Sequence, residues 1–189
     1  PFMGIAVVGR ILEDIGLRVG IIGQPDINSD VDIKRLGEPK LFWGVSGGSI
    51  DSMVSNYTAT KKFRNDDDYT PGGKNNKRPD RATLVYTNLI RRYFKNTVPI
   101  VLGGIEASLR RLTHYDYWSN TLRKPILFDS KADYMIYGMG EQAIIDLGLY
   151  LKEGKDVRTI AGLCYISKEP VKEYLQIPSH KECLSDKEK

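Results

Sequence analysis

The chain has 189 residues, 41% of them hydrophobic and 28% charged. Counting Gly and leaving out Tyr brings the apolar share to roughly 45%, the ordinary globular value, which excludes collagen-like and disordered chains. No apolar run approaches the ~20 residues that cross a bilayer, and a formal net charge of +4 permits a nucleic-acid partner without demanding one. Two cysteines frame no disulfide scaffold, so a cytoplasmic setting without membrane attachment is expected. The start, Pro1-Phe2-Met3-Gly4, has neither an initiator Met nor a basic leader and reads as an internal cut.

Along the chain the hydrophobic period switches between helix and strand values. Ile5, Val8, Leu12 and Ile15 form one helical stripe, with Gly16 as a left-handed stop. Leu17 to Ile22 then reads as a short buried strand closed by Gly23-Gln24-Pro25. A weaker helix runs from Val31 to Leu36, between Asp30 as N-cap and Gly37 as stop. Leu41 to Val45 is the second strand, Ser46-Gly47-Gly48-Ser49 the turn after it, and Ile50 to Ser55 a short helix.

From Tyr57 to Arg81 the chain holds seven Lys or Arg, the run Asp66-Asp67-Asp68 and almost no aliphatic residues. A loop of that length inside one domain is functional or mobile. Asp80 is expected to cap the next helix, with Ala82, Val85, Leu89 and Tyr93 inward and Arg91, Arg92 and Lys95 at its C-terminal end. Val98 to Leu102 is a strand leading into Gly103-Gly104-Ile105-Glu106-Ala107-Ser108. Tyr134 to Tyr137 is another, ending in Gly138-Met139-Gly140-Glu141, and the helix after it places Ile144, Leu147 and Leu151 on one face and stops at Gly154. Leu163 to Ile166 is a last short strand, and from Ser167 onward the composition is that of a charged linker.

Strands separated by helices predict parallel pairing, hence an α/β fold: a doubly wound, mainly parallel sheet with helices on both faces. The domain is expected over residues 1–166, its first strand lying before the cut, and the linker over 167–189. Ligands of such sheets lie beyond the carboxyl ends of the strands, and here those ends carry Gly23, Gly47 and Gly48, Gly103 and Gly104, and Gly138 and Gly140. Glycines there free backbone N–H groups for a ligand, although tight turns need glycine in any case. Gly138-x-Gly140 does not complete a dinucleotide fingerprint, since Ala143 follows, and Gly72-Gly73-Lys74-Asn75 is not a phosphate loop. His114 and His180 are the two histidines, and Cys164 and Cys183 stand 19 positions apart, so neither zinc nor iron–sulfur spacing is present.

The segment Arg110 to Trp118 is dense in polar-tipped aromatics. One reading makes His114 and Asp116 acid–base or hydrogen-bonding groups with Tyr115, Tyr117 and Trp118 as stacking walls. The other makes it a lid packing its aromatics onto the rest of the protein. The basic residues Lys61, Lys62, Arg64, Lys74, Lys77 and Arg78, with Arg110 and Arg111, leave room for a module that binds RNA or another polyanion, although Asp66, Asp67 and Asp68 interrupt them and no aromatic platform repeats among them. A protein–protein docking role for the aromatic segment is the third alternative.

The stretches Phe2 to Arg18, Gly20 to Asp26, Phe42 to Ala59, Asp67 to Gly73, Arg78 to Ala82, Gly103 to Tyr117 and Tyr137 to Glu141, in that order, closely resemble the N-terminal region of YgiQ-type radical SAM proteins. The resemblance implies a flavodoxin-like domain of the cobalamin-binding type, ahead of a barrel whose Cys-x3-Cys-x2-Cys site binds a [4Fe–4S] cluster and S-adenosylmethionine. This chain lacks that triplet, and it lacks the Asp-x-His-x-x-Gly pattern of a cobalamin lower ligand, so the cofactors are expected outside it and cobalamin is not expected. The implied partner is the C-terminal barrel of the same polypeptide, whose open end this domain would cover without catalysing the reaction itself. The residues expected on the substrate and interdomain face are Ser46, Gly47, Gly48, Asp51, Gly103, Gly104, Glu106, His114, Tyr115, Asp116, Tyr137, Gly138, Gly140 and Glu141.

Overall fold

The computed structural model describes residues 3–171 and 174–186. In chain order it contains α1 (Met3–Asp14), α2 (Val31–Lys34), β1 (Trp43–Ser46), α3 (Ser52–Asn56), α4 (Ala82–Tyr93), β2 (Ile100–Gly103), α5 (Gly104–Leu109), β3 (His114–Asp116), β4 (Thr121–Arg123), α6 (Ile126–Ser130), β5 (Tyr134–Ile136), α7 (Glu141–Glu153), a 3-10 turn at Val157–Thr159, β6 (Leu163–Tyr165) and α8 (His180–Ser185). Four strands form one sheet in the order β1-β2-β5-β6, and β3 and β4 form a separate antiparallel hairpin.

Strand alternation sends neighbouring side chains to opposite faces, and both faces are covered. Trp43, Val45, Ile100, Leu102 and Met135 meet Ile33 of α2, Leu89 and Ile90 of α4, and Ile126 and Leu127 of α6. Val101 and Ile136 point the other way, against Leu12 of α1, Ala143, Ile144 and Leu147 of α7, and Val157 and Ile160. Ile100, Leu102, Met135 and Leu147 are wholly buried. The α/β class and the mainly parallel sheet are therefore as the periodicity predicts.

Two local expectations are corrected. Leu17 to Ile22 is extended but joins no ladder. Leu17 and Val19 pack on the α1/α7 side and Ile22 on the α4 side, so alternate burial arises without main-chain pairing. The β6 strand pairs antiparallel to β5, with Met135 opposite Cys164. After α7, residues 155–162 climb back toward the carboxyl end of β5, where Tyr137 N–H donates to Gly162 O (3.2 Å), and β6 descends from there. Within 167–189, the expected linker, the structure adds one short helix, α8, opened by a capping box in which Ser179 and Glu182 bond each other's backbone. Residues 172, 173 and 187–189 of that segment lie outside the described residues. Elements not anticipated are α6 and the β3–β4 hairpin, both too short to show a period.

Helices α1 and α7 approach so closely that a Cβ on Gly148 would stand 2.8 Å from Leu17 Cδ1 and 3.3 Å from Leu12 Cδ2, whereas one on Gly4 would meet nothing within 4 Å. Gly148→Leu is expected to lower the free energy of unfolding by about 1–3 kcal/mol through overpacking, seen as a lower urea midpoint. Gly4→Ala should be neutral or stabilising by up to about 1 kcal/mol through helix propensity. Equilibrium urea denaturation of both variants checks the opposite signs.

Candidate functional site

The parallel register Ser46↔Gly103 puts the carboxyl ends of β1 and β2 side by side, so the turns that leave them must share space. Their glycines make that possible. A Cβ on Gly47 would lie 2.6 Å from Glu106 Oε2, and a Cβ on Gly104 (φ +81°) would lie 2.7 Å from Ser46 Oγ. Gly48 N–H donates to that same Ser46 hydroxyl (3.2 Å).

Glu106, in the first turn of α5, is only 1% exposed. Its Oε2 accepts from Ser52 N–H (2.8 Å) and its Oε1 from Thr83 N–H (2.9 Å), so one carboxylate satisfies the first turns of both α3 and α4. Ser52 Oγ accepts from Ala82 N–H (3.0 Å) and closes the join between the two helices. Asp51 caps α3 by accepting from Met53 N–H (2.9 Å) and Val54 N–H (3.3 Å), and its other oxygen pairs with the Arg110 guanidinium, which also donates to Glu106 O (3.1 Å). Asp80 does not cap α4. It accepts from Asn56 Nδ2 and Tyr57 OH, both at 2.8 Å, and the N-cap position is Arg81 in a left-handed conformation (φ 51°).

A second ionic layer holds the hairpin. Asp116, 4% exposed, accepts from Arg81 Nη2 (2.6 Å) and from the Ser119 hydroxyl and N–H. Burial pushes its pKa up, but the hydrogen bonds from Ser119 and Arg81 outweigh that and hold the carboxyl below the usual carboxylate range. His114 donates Nδ1–H to Leu112 O (3.0 Å), since a carbonyl can only accept, and this leaves Nε2 as an acceptor. That nitrogen is buried without a partner among the described residues. It lies beside a cavity of ≈ 10 Å³ lined by Arg81, Glu106, Arg110, Arg123 and Lys124, among others. Such a space holds about one water.

The long loop is stitched down. Asp67 and Arg78, with side chains 1% and 6% exposed, form a buried ion pair (3.0 Å), and Arg78 also donates to the Ser55 hydroxyl. Asp67 accepts further from Thr70 Oγ1 (2.5 Å) and Tyr69 N–H (3.1 Å). Burial raises its pKa, yet Thr70, Tyr69 and Arg78 together hold it below the usual range. Tyr117 OH donates to Ala59 O (2.8 Å), Lys61 Nζ donates to Tyr117 O (2.9 Å), and the Trp118 ring rests on Tyr57 (centroids 5.4 Å apart). The aromatic segment thus covers the loop, as the lid reading has it. Arg78 and Arg110 are committed to carboxylates, while Lys62, Arg64, Lys74 and Lys77 remain exposed.

The face residues named from sequence therefore divide. Ser46, Gly47, Asp51, Gly104, Glu106 and Asp116 lie in the two networks, Gly103 joins them as the end of β2, and Gly48 turns over Ser46 with φ +104°. Tyr115 (58% exposed, its OH on Asn120 Oδ1), Tyr137 (40%), Gly138 and Glu141 face outward. Gly138 N–H reaches Ser108 Oγ (3.2 Å), and Gly140 is tight against Ile136, whose Cγ2 would stand 2.5 Å from a Cβ. Sequence reading did not single out Ser52, Thr83 or Arg81, because a backbone donor and a long-range partner leave no local pattern.

A mainly parallel sheet, faced on both sides and bearing glycine turns at its carboxyl ends, defines an α/β domain. The radical SAM N-terminal family matches residues 1–189, and the chain belongs to that family. It is 61% identical over 188 residues to a UPF0313 protein of Fusobacterium nucleatum, covering 99% of this chain and 33% of that protein. It is 51% identical over 192 residues to a UPF0313 protein of Thermotoga maritima, covering 100% and 34%. The chain thus spans about a third of the length of these relatives. Among solved structures it resembles the radical S-adenosylmethionine methyltransferase TsrM of Kitasatospora setae, solved with tryptophan and a SAM analogue, with a TM-score of 0.60 at 18% identity over 89% of this chain and 26% of that one. A second TsrM structure, with cobalamin and a [4Fe–4S] cluster bound, gives 0.57.

If Gly47 is there to admit the Glu106 carboxylate, Gly47→Ala should cost about 2–4 kcal/mol in the native background, as expected for disturbing a buried charged acceptor. In a Glu106→Ala background it should cost about 1–3 kcal/mol less, a coupling read from a double-mutant cycle in urea. The depressed carboxyls give a pH dependence of known sign. Stability from Asp67 and Asp116 is fully present above their unfolded pKa of ~3.9 and falls as pH drops through the lower folded values. Asp116→Asn should lower stability at neutral pH and flatten the acid limb of the stability–pH curve.

Proposed function

We propose that this domain covers the open end of a radical SAM barrel carried by the remaining two-thirds of the polypeptide, shaping its substrate pocket and excluding water from it. The observation that carries the reading is an apolar rim at the carboxyl end of the sheet. Ile105 (46% exposed), Leu109 (60%) and Leu112 (45%) flank Tyr137 (40%) and Met139 (92%). The Arg111 guanidinium lies over the Tyr137 ring (5.2 Å), and the Ser108–Gly138 hydrogen bond ties α5 to the turn after β5. Other exposed apolar side chains, such as Met3, Val31 and Leu175, are scattered, whereas these five neighbour one another on α5 and the turn after β5, and a contiguous exposed apolar patch marks a surface that another body covers. The match to a family of N-terminal domains, in relatives three times as long, is in keeping with such a body following it.

The cluster and S-adenosylmethionine belong to the barrel in this reading. The residues present here do not fit a cluster. Cys164 sits in β6, where burial pushes its thiol pKa up, and Cys183 sits on α8. No three His, Cys, Asp or Glu side chains gather as a metal site among the described residues. Nor do the histidines suit cobalamin: His114 spends Nδ1 on Leu112 O and buries Nε2, and His180 contacts Thr113 (3.3 Å) from α8. Asp51, Glu106 and Asp116 then act by holding the face rigid, while Tyr115, Tyr137, Gly138 and Glu141 meet the barrel or its substrate. Residues 167–189 connect the two parts. Among the described residues no helix is long and apolar enough to cross a membrane.

The test uses the full-length protein, reconstituted anaerobically with iron and sulfide and assayed for reductive cleavage of S-adenosylmethionine. Cleavage to 5′-deoxyadenosine is expected. The double variant Leu109→Asp, Met139→Asp should keep its cluster absorbance and lose about tenfold in coupled turnover, roughly 1.4 kcal/mol. Absence of cluster and cleavage, or a double variant with unaltered turnover, would overturn the reading.

A further inference from the structure

Between the long loop and the β3–β4 hairpin lies an open cleft of ≈ 290 Å³ lined by Met53, Tyr57, Lys61, Arg81, Trp118 and Ser119. Tyr57, Lys61, Arg81 and Trp118 also tie the loop to the hairpin, and the space they enclose is separate from the apolar rim. We propose that this cleft is a binding site for a small planar aromatic anion, a single ring carrying one carboxylate or phosphate group. The volume is at the lower end of small-molecule sites and suits a ligand of about ten heavy atoms.

Two walls are aromatic and preset. The Tyr57 and Trp118 rings meet at 45° with centroids 5.4 Å apart, forming a wedge. Each is braced from outside, Tyr57 by Phe63 (5.6 Å, 76°) and Trp118 by Tyr117 (5.4 Å, 74°), both edge to face. Rings held this way lose little freedom when a further ring stacks on them. The Tyr57 hydroxyl is donated to Asp80, and that hydrogen bond, with burial, raises its pKa, so the phenol stays protonated and adds no negative charge.

The remaining walls are cationic, and both cations occupy backbone positions that disfavour their residue type. Lys61 (φ 60°) and Arg81 (φ 51°) are left-handed, a conformation that glycine adopts freely and other L-residues disfavour. Lys61 sits in a tight turn in which its N–H bonds Thr58 O (2.9 Å) and Thr58 N–H bonds Lys62 O (2.8 Å), a position where Gly serves the backbone better. Arg81 holds the N-cap of α4, where Ser, Thr, Asp or Asn is usual. Backbone conformation favours neither residue; their side chains tie the hairpin, Lys61 to Tyr117 O and Arg81 to Asp116, and both also line one cleft. Both keep donor capacity. Lys61 Nζ has three N–H groups and donates to Tyr117 O (2.9 Å) and Trp118 O (3.4 Å). Of the five N–H groups of Arg81, Asp116 engages one among the described residues. Asp116 stands behind Arg81, and Asp80 stands behind Tyr57, and neither carboxylate lines the cleft. An anion is therefore met by two fixed cations and a ring by two fixed rings.

This inference does not depend on the barrel reading, and its test has a readout separate from S-adenosylmethionine cleavage. The full-length protein is titrated calorimetrically with benzoate and with phenyl phosphate, which separate the two anionic groups, and with acetate, inorganic phosphate and benzyl alcohol, which lack either the ring or the charge. Binding of at least one aromatic anion at millimolar affinity or tighter is expected, and at least about tenfold weaker binding of all three controls. Lys61→Gly relieves backbone strain but removes the tether to Tyr117 O and Trp118 O, two opposed effects that should leave the thermal midpoint within a few degrees, while weakening the aromatic anion at least about fivefold. Trp118→Leu should weaken it similarly. Three results would each overturn the proposal: no aromatic anion binding up to about 10 mM, controls that bind as tightly, or a Lys61→Gly protein that binds unchanged.

Discussion

The carboxylate of Glu106 accepts hydrogen bonds from the first turns of two helices that are far apart in the chain, from Ser52 N–H on α3 and from Thr83 N–H on α4, and the carboxyl end of the sheet depends on that one group. Helices leave their first N–H groups unpaired, and a buried unpaired donor costs about 1–3 kcal/mol. The usual remedy is a side chain of the preceding residue. Here α4 begins at a left-handed arginine that cannot serve, and the acceptor arrives from α5 instead. Gly47 is the condition for this, because any Cβ there would occupy the place of the carboxylate.

Once α3 and α4 are joined through Glu106, the twenty-five residues between them must form a closed excursion. They are held to the domain by the Asp67–Arg78 pair and to the hairpin by Lys61 and Tyr117. The hairpin is held in turn by Asp116 on Arg81, the N-cap of the same α4. Backbone strain at Lys61 and Arg81, the two ionic layers and the braced aromatic wedge therefore belong to one assembly built on the ends of β1 and β2. The apolar rim lies beside it, on α5 and the turn after β5. One end of the domain thus carries a polar, prearranged cleft and an apolar contact surface together.

The elements with strong periodicity were legible from residues alone. The α4 and α7 stripes, the Val8–Leu12 part of the α1 stripe (Ile5 is 41% exposed), the strands around Trp43, Ile100 and Tyr134, and the glycine turns after them are where hydrophobic spacing places them. Leu17 to Ile22 shows the limit of that signal, since alternation reports which side chains are buried and is silent on main-chain pairing. The direction of β6 was out of reach for a related reason: parallel pairing is inferred from a helix between strands, and the climb of residues 155–162 carries no period. The glycine turn points to Glu106 as a face residue, and the structure puts it at the sheet's carboxyl end but 1% exposed. Its use was hidden, because its partners are backbone N–H groups that any residue supplies.

By itself, the sequence determined the fold class, the family resemblance and the lack of a cluster-binding cysteine triplet within these residues, because each rests on local spacing or on ordered blocks of residue types. Only the tertiary structure decided that the acidic residues of the strand-end motifs serve as internal anchors and that Arg78 and Arg110 are spent on buried carboxylates. It alone brought Lys61, Arg81, Tyr57 and Trp118 to one cleft. Those outcomes depend on contacts across 11 to 61 positions of chain, set by the register of β1 against β2 and by which helix ends meet a common acceptor. A linear pattern cannot carry such contacts, because the free energy that fixes them comes from burial and hydrogen bonding between surfaces that exist only after the sheet has formed.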